Sequence, residues 1–270
     1  MPEFYLVPKK LARRAPALAR LSHRLEGGIF RSLFWLIRRL RLEHALALSG
    51  ALFGLLGRFS DKAKKARDNL AIAFPERSVE WRETATRQIF RYLGYSAVEL
   101  IRLEQIWQEK DQRIEFVPGA RKHLESRAPT VFVTAHVGAW QVAPLITREF
   151  NFNVSAVYAP ESNPAMNELM QGLRRSIAAN LISAEDGPRP LLRELNAGNS
   201  IMVAMDTRPD TGKLLPFFGR EAISNTSAAG LALRTGATVL LARGERLPGA
   251  RFRITAYDPV ASPIPHAPVK

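Results

Sequence analysis

Beyond residue 113, short apolar runs alternate with amphipathic stretches, and this alternation restricts the fold more than any other feature of the chain. The runs cover residues 114–117, 131–133, 154–158, 201–205, 238–241 and 251–257, and residues 167–179, 188–196 and 227–235 between them have helical spacing. Runs so short and so rich in Val, Ile and Phe read as strands buried on both faces, which requires helices to cover the sheet. The expected class is α/β, a largely buried sheet flanked by helices. Upstream, residues 61–108 read as helical, broken at Phe74-Pro75-Glu76 and resuming near Val79.

The formal net charge of +14 is unevenly placed: residues 1–67 hold 15 Lys or Arg against four acids, a balance of +11. Such an arm suits phosphate, whether of nucleic acid or of anionic lipid. The side chains between the charges favour lipid, because residues 29–40 mix Ile, Phe, Trp and Leu with arginines as an interfacial helix does, an ordinary domain-capping helix being the competing reading. The apolar run at 45–57 ends at Arg58 and is too short to span a bilayer. A longer span over 29–57 would place Arg31, Arg38, Arg39, Arg41 and Glu43 in hydrocarbon. We expect residues 1–60 to form a basic, membrane-associating helical region on an anionic membrane surface. Residues 61–270 are then expected to form the main folded domain, and no nucleic-acid partner is implied. No signal peptide is evident at the amino terminus, so we expect that domain to stay on the cytoplasmic side.

The chain has no cysteine, so disulfides, thiolate nucleophiles and cysteine metal sites are excluded. Its histidines, at 23, 44, 123, 136 and 266, form no pair at a metal-binding spacing. Neither Gly187-Pro188 nor Asp210-Thr211-Gly212-Lys213 matches a phosphate loop. No metal and no cofactor are expected.

The most informative segment is Thr130 to Gln141, an apolar strand running into His136, Gly138 and Trp140. A titratable ring at a strand end is held by a rigid sheet and stays open to substrate. A structural histidine is the competing reading. Ala135-His136-Val137-Gly138-Ala139-Trp140-Gln141 resembles the first motif of the lysophospholipid acyltransferase superfamily, in its lipid A late-acyltransferase branch. Asn69-Leu70 through Phe74-Pro75-Glu76, and Leu215-Pro216-Phe217-Phe218-Gly219 followed by Thr226, are similar to further blocks of that branch.

The resemblance implies a glycerol-3-phosphate acyltransferase-like sandwich with a central mixed sheet. It implies transfer of an acyl group from acyl carrier protein or acyl-CoA to a glycolipid hydroxyl, at the cytoplasmic face of the bacterial inner membrane, through a monotopic or single N-terminal anchor. His136 would be the base. In the family an acid four residues beyond orients the imidazole, and this sequence has Gln141 there. An amide oxygen can hold the tautomer but supplies no charge. Three readings follow: a weaker enzyme with Gln141 as the orienting group, an acid from elsewhere, or a membrane-bound lipid-binding protein that has lost catalysis. The candidate acids are Glu161, Glu185, Asp186 and Asp206, and Asp206 ranks first because it follows an apolar strand directly. Substrate contacts are expected from Gly138, Trp140, Arg189, Arg208, Phe217, Phe218, Gly219 and Thr226. Arg174 and Arg175 read equally well as a solvated helix face.

Overall fold

The computed structural model describes residues 16–207 and 212–261. The first half is helical. Helix α1 (Pro16–Arg39) leads to α2 (Leu42–Leu56), α3 (Asp61–Ala73) and α4 (Val79–Ile101), then to the short α5 (Leu103–Gln108) and α6 (Lys110–Arg113). Ser78 starts α4 by accepting the Trp81 backbone N–H at 3.2 Å, while Pro75 sits in the link that separates α3 from α4.

The sheet follows, with β1 (Ile114–Pro118), α7 (Arg121–Ser126), β2 (Thr130–Thr134), α8 (Leu145–Glu149) and β3 (Val154–Tyr158). Next come α9 (Pro164–Arg174), β4 (Asn180–Ser183), α10 (Arg189–Asn196), β5 (Ser200–Ala204), β6 (Lys213–Phe217) and β7 (Arg220–Ser224). The chain continues through α11 (Ser227–Thr235), β8 (Thr238–Leu247) and β9 (Arg251–Ala256). Seven strands form one mixed sheet in the order β1-β9-β8-β2-β5-β3-β4, in which only β8 and β9 pair antiparallel. The carboxyl ends of β8, β2, β5, β3 and β4 therefore share one edge, where open α/β sheets place their ligands.

Alternation along the central strands divides the core between two faces. Phe132 and Met202 pack with Val98, Leu145 and Ile146 on one side. Val131, Ile201 and Val203 pack with Leu191, Leu195 and Leu231 on the other. Each such side chain contributes about 1.5–3 kcal/mol by leaving water. Helix α2 adds Leu42 and Ala45 to the first cluster, so residues 42–56 are packed on the domain that follows them. An ion pair on the buried Glu99 ties α4 to β8: Arg246 donates to Glu99 at 2.5 and 2.8 Å and to Ser96 Oγ at 2.9 Å. Burial pushes the Glu99 carboxyl up, and the Arg246 guanidinium opposes that shift.

The sequence reading places no strand at β4, β6 or β7, and the reason is exposure. Strand β4 is an edge of four residues, and β6 with β7 forms a separate two-stranded hairpin with no fully buried side chain. Neither type carries the continuous apolar signal of a central strand.

Helix α1 has unusual polarity. Its buried positions include Ser22 and Glu26, while Leu21, Leu25, Ile29, Leu33 and Leu36 form an exposed stripe at helical spacing. Among the described residues, no helix is long and apolar enough to cross a membrane.

Candidate active site

Strands β2 and β5 run parallel in a register that pairs Thr134 with Ala204, and the ladder closes with the Met205 N–H donating to the Thr134 carbonyl at 3.0 Å. Two residues beyond that pair on each strand stand His136 and Asp206. Asp206 Oδ1 lies 2.8 Å from His136 Nδ1, and Oδ2 accepts the His136 backbone N–H at 2.7 Å. A carboxylate only accepts hydrogen bonds, so this contact keeps the proton on Nδ1 and leaves the Nε2 lone pair available. The two side chains are 42% and 37% exposed, open enough for a substrate to reach the imidazole. Trp140 packs edge-to-face on the ring, with centroids 4.6 Å apart.

The turn after His136 is shaped by two glycines. Gly138 has φ +59°, and a Cβ there would stand 2.1 Å from the Gly244 carbonyl oxygen. A Cβ on Gly244 would in turn come within 2.4 Å of the Ala139 oxygen. With both side chains absent, the Ala139 N–H reaches the Gly244 carbonyl at 2.8 Å and the turn docks on β8. Backbone packing on β8 thus accounts for a glycine at position 138.

Gln141 takes no part in the contact between His136 and Asp206. Among the described residues it makes no hydrogen bond to His136. Its side chain goes inward, only 8% exposed, because the turn leads straight into core positions Val142, Ala143, Leu145 and Ile146. Asp206 occupies the Nδ1 side instead. Glu161, Glu185 and Asp186 make no hydrogen bond to the ring either. Glu161 accompanies Arg174, whose guanidinium lies 5.8 Å from the Tyr158 ring and whose tendency to hold its proton is lowered by burial.

The remaining expected contacts are spread along and beyond this edge. Arg189 is the first residue of α10, exposed, after the end of β4 and three strands away from β2. Arg208 lies outside the described residues. Phe218 and Gly219 form the two-residue turn of the β6–β7 hairpin, with φ +49° and +70°. Phe217 and Phe218 are 62% and 54% exposed, and Phe218 packs at 6.1 Å against Phe74, which itself contacts Trp81 at 5.3 Å. The hairpin turn therefore leans on the α3–α4 link. Thr226 precedes α11 without capping it, while Asn225 accepts the Ser227 N–H at 2.9 Å. Ser227 Oγ lies 3.8 Å from Met205 Sδ, which brings the start of α11 beside the strand end that carries Asp206. Neither Gly244 nor Asn225 stands out in the sequence, and no periodicity marks them.

A family model described as bacterial lipid A biosynthesis acyltransferase matches residues 28–263. Lipid A biosynthesis acyltransferase 2 of Shigella flexneri is 25% identical over 169 residues, covering 60% of this chain and 54% of that protein. Lipid A biosynthesis myristoyltransferase of Escherichia coli (strain K12) is 24% identical over 181 residues, 64% of this chain and 54% of that protein. The chain thus spans about half the length of the curated relatives it matches. Among solved structures, the 1-acyl-sn-glycerophosphate acyltransferase of Thermotoga maritima aligns with a TM-score of 0.37 at 14% identity, over 80% of this chain and 85% of that one.

Proposed function

The chain belongs to the bacterial lipid A biosynthesis acyltransferase family, and from that premise we propose that it transfers a fatty acyl group from a thioester donor to a hydroxyl of a glycolipid such as a lipid A precursor. The donor is acyl carrier protein or acyl-CoA. The observation that carries this reading is the 2.8 Å contact between His136 Nδ1 and Asp206 Oδ1 at the open carboxyl edge of the sheet.

In the proposed reaction, His136 Nε2 accepts the proton of the acceptor hydroxyl as its oxygen attacks the thioester carbonyl. Asp206 stabilises the imidazolium that forms and keeps the ring from turning. The tetrahedral intermediate collapses, the C–S bond breaks, and the departing thiolate takes the proton back from Nε2. Ester and free thiol result, with no covalent enzyme intermediate. Trp140 limits rotation of the imidazole, and the exposed rings of Phe217 and Phe218 offer apolar contact for an acyl chain.

The same reading puts the protein on the cytoplasmic face of the inner membrane, held from one side or by a single N-terminal anchor. The exposed leucine stripe of α1 and the +11 balance of residues 1–67 support it, because apolar burial and basic charge act together at an anionic surface. A lipid-binding protein without catalysis is the alternative, and its motive was the missing acid at Gln141. A carboxylate already at the imidazole weighs against it. The test is acyl transfer from a panel of carrier-protein and CoA thioesters to a bacterial lipid extract, read as acylated lipid and free thiol by mass spectrometry. Product with at least one donor is expected. Lipid binding without product from any donor would favour the alternative.

A further inference from the structure

Helices α2 and α4 approach closely at Gly94, where a Cβ would lie 2.6 Å from the Ser49 carbonyl. Toward the amino-terminal end of α4 the pair opens into a groove of about 430 Å³, within the usual range of ligand sites. Its wall is a polar stripe on α4, formed by Thr84, Arg87, Gln88 and Arg91 at i, i+3, i+4 and i+7. Its floor is Ala51 and Gly54 of α2, and Arg58 closes the end.

Arg58, Arg87 and Arg91 form no ion pair among the described residues. Of the carboxylates on α3 and α4, Glu83 pairs with Arg67 at 3.5 Å and Asp68 with Lys64 at 3.4 Å. Arg91 is oriented by donating to Tyr95 Oη at 2.7 Å. Three guanidiniums, a hydroxyl and an amide facing one open volume need a partner with several acceptor oxygens and more than one negative charge. A phosphate monoester has both, whereas a carboxylate offers two oxygens and a single charge. Leu55 lines the groove, and it and Leu52, Leu56 and Phe59 in the same stretch are 49–73% exposed.

We propose that the α2–α4 groove binds the phosphate monoester of a membrane lipid, with Arg87 and Arg91 gripping the phosphate and the exposed α2 side chains meeting the acyl region. The site shares no residue with the β2–β5 edge. It rests on the membrane-surface reading above and adds a headgroup chemistry to it.

The experiment measures binding of the full chain to vesicles containing phosphatidic acid or phosphatidylglycerol at matched surface charge. Its variants are Arg87→Gln/Arg91→Gln and, as a charge-matched control, Lys62→Gln/Lys65→Gln. The unmodified chain should prefer the monoester vesicles by about tenfold, a preference of the size expected from charge-assisted hydrogen bonds. Arg87→Gln/Arg91→Gln should lose that preference, and the lysine control should keep it. An unchanged preference in the arginine variant, or an equal loss in the control, overturns the site while leaving surface binding intact. Failure of the unmodified chain to bind any vesicle overturns the surface reading and the site together. Inorganic phosphate raising the melting temperature of the unmodified chain alone, while the vesicle preference is absent, would assign the groove to free phosphate and overturn the lipid.

Discussion

Asp206 holds His136 twice, by its ring Nδ1 at 2.8 Å and by its backbone N–H at 2.7 Å. The carboxylate reaches the imidazole across the sheet rather than along the chain, since β2 and β5 are in register up to Thr134 and Ala204 and each places one partner two residues further on. Both contacts orient an imidazole whose side chain is 42% exposed.

Asp206→Asn should lower the acyl-transfer rate by a factor of about a hundred or more, because an amide neither carries charge nor enforces the same tautomer. Steady-state rates and circular dichroism of the variant check this. A fold unchanged with the rate reduced is the expected combination, and a rate within a factor of about two would contradict the assignment.

Gln141→Glu should not raise the rate, because Asp206 already occupies the Nδ1 side of the imidazole. The new carboxylate would be buried where Gln141 is 8% exposed, and the variant should lose about 1–3 kcal/mol in urea denaturation. An increase in transfer rate would show that the scaffold lacks its acid.

Gly138→Ala should destabilise by at least about 2 kcal/mol, since an alanine at φ +59° is strained and its Cβ would meet the Gly244 oxygen at 2.1 Å. Relief requires the turn to lift from β8, which carries His136 with it. Activity should therefore fall even at temperatures where the variant remains folded, as paired melting and rate measurements will show.

Acid should weaken the contact of α2 with the start of the sheet. Glu43 is held below the ordinary carboxyl value by its own backbone amide and by Arg113, and Glu109 by Gln105 and Arg113. A carboxyl lowered in the folded state stabilises fully above the unfolded value, and that stability is lost as pH falls through the folded one. Arg113 also donates to the Ala250 carbonyl at 3.2 Å, so it joins α2, α6 and the β8–β9 turn. Arg113→Gln should flatten the loss of melting temperature below the ordinary glutamate value of 4.5. An unchanged acid slope would remove this cluster as its cause.

The central strands are legible in the sequence because both their faces are buried: Val131, Phe132, Ile201 and Val203 have no reason to alternate with polar residues. His136 is legible for the same reason, as the first titratable side chain after such a run. Its acid is not legible at the family spacing, since Gln141 sits where the chain dives into the core. Asp206 can be singled out as the residue after an apolar strand, but its distance to His136 follows from strand order and register, which no local pattern encodes. The Gly138–Gly244 contact and the β6–β7 hairpin escape for kindred reasons. The first joins residues far apart in the chain, and the second has exposed strands and a Phe218-Gly219 turn without the usual Asn-Gly signal.

The most direct measurement is the initial rate of acyl transfer to a lipid A precursor by the unmodified chain and by His136→Ala, at equal concentration and with the fold of both verified. A general base of this kind is worth roughly a hundredfold to ten-thousandfold, so the variant should retain at most about one per cent of the rate. Equal product from the two proteins would contradict the assignment of His136 as the base.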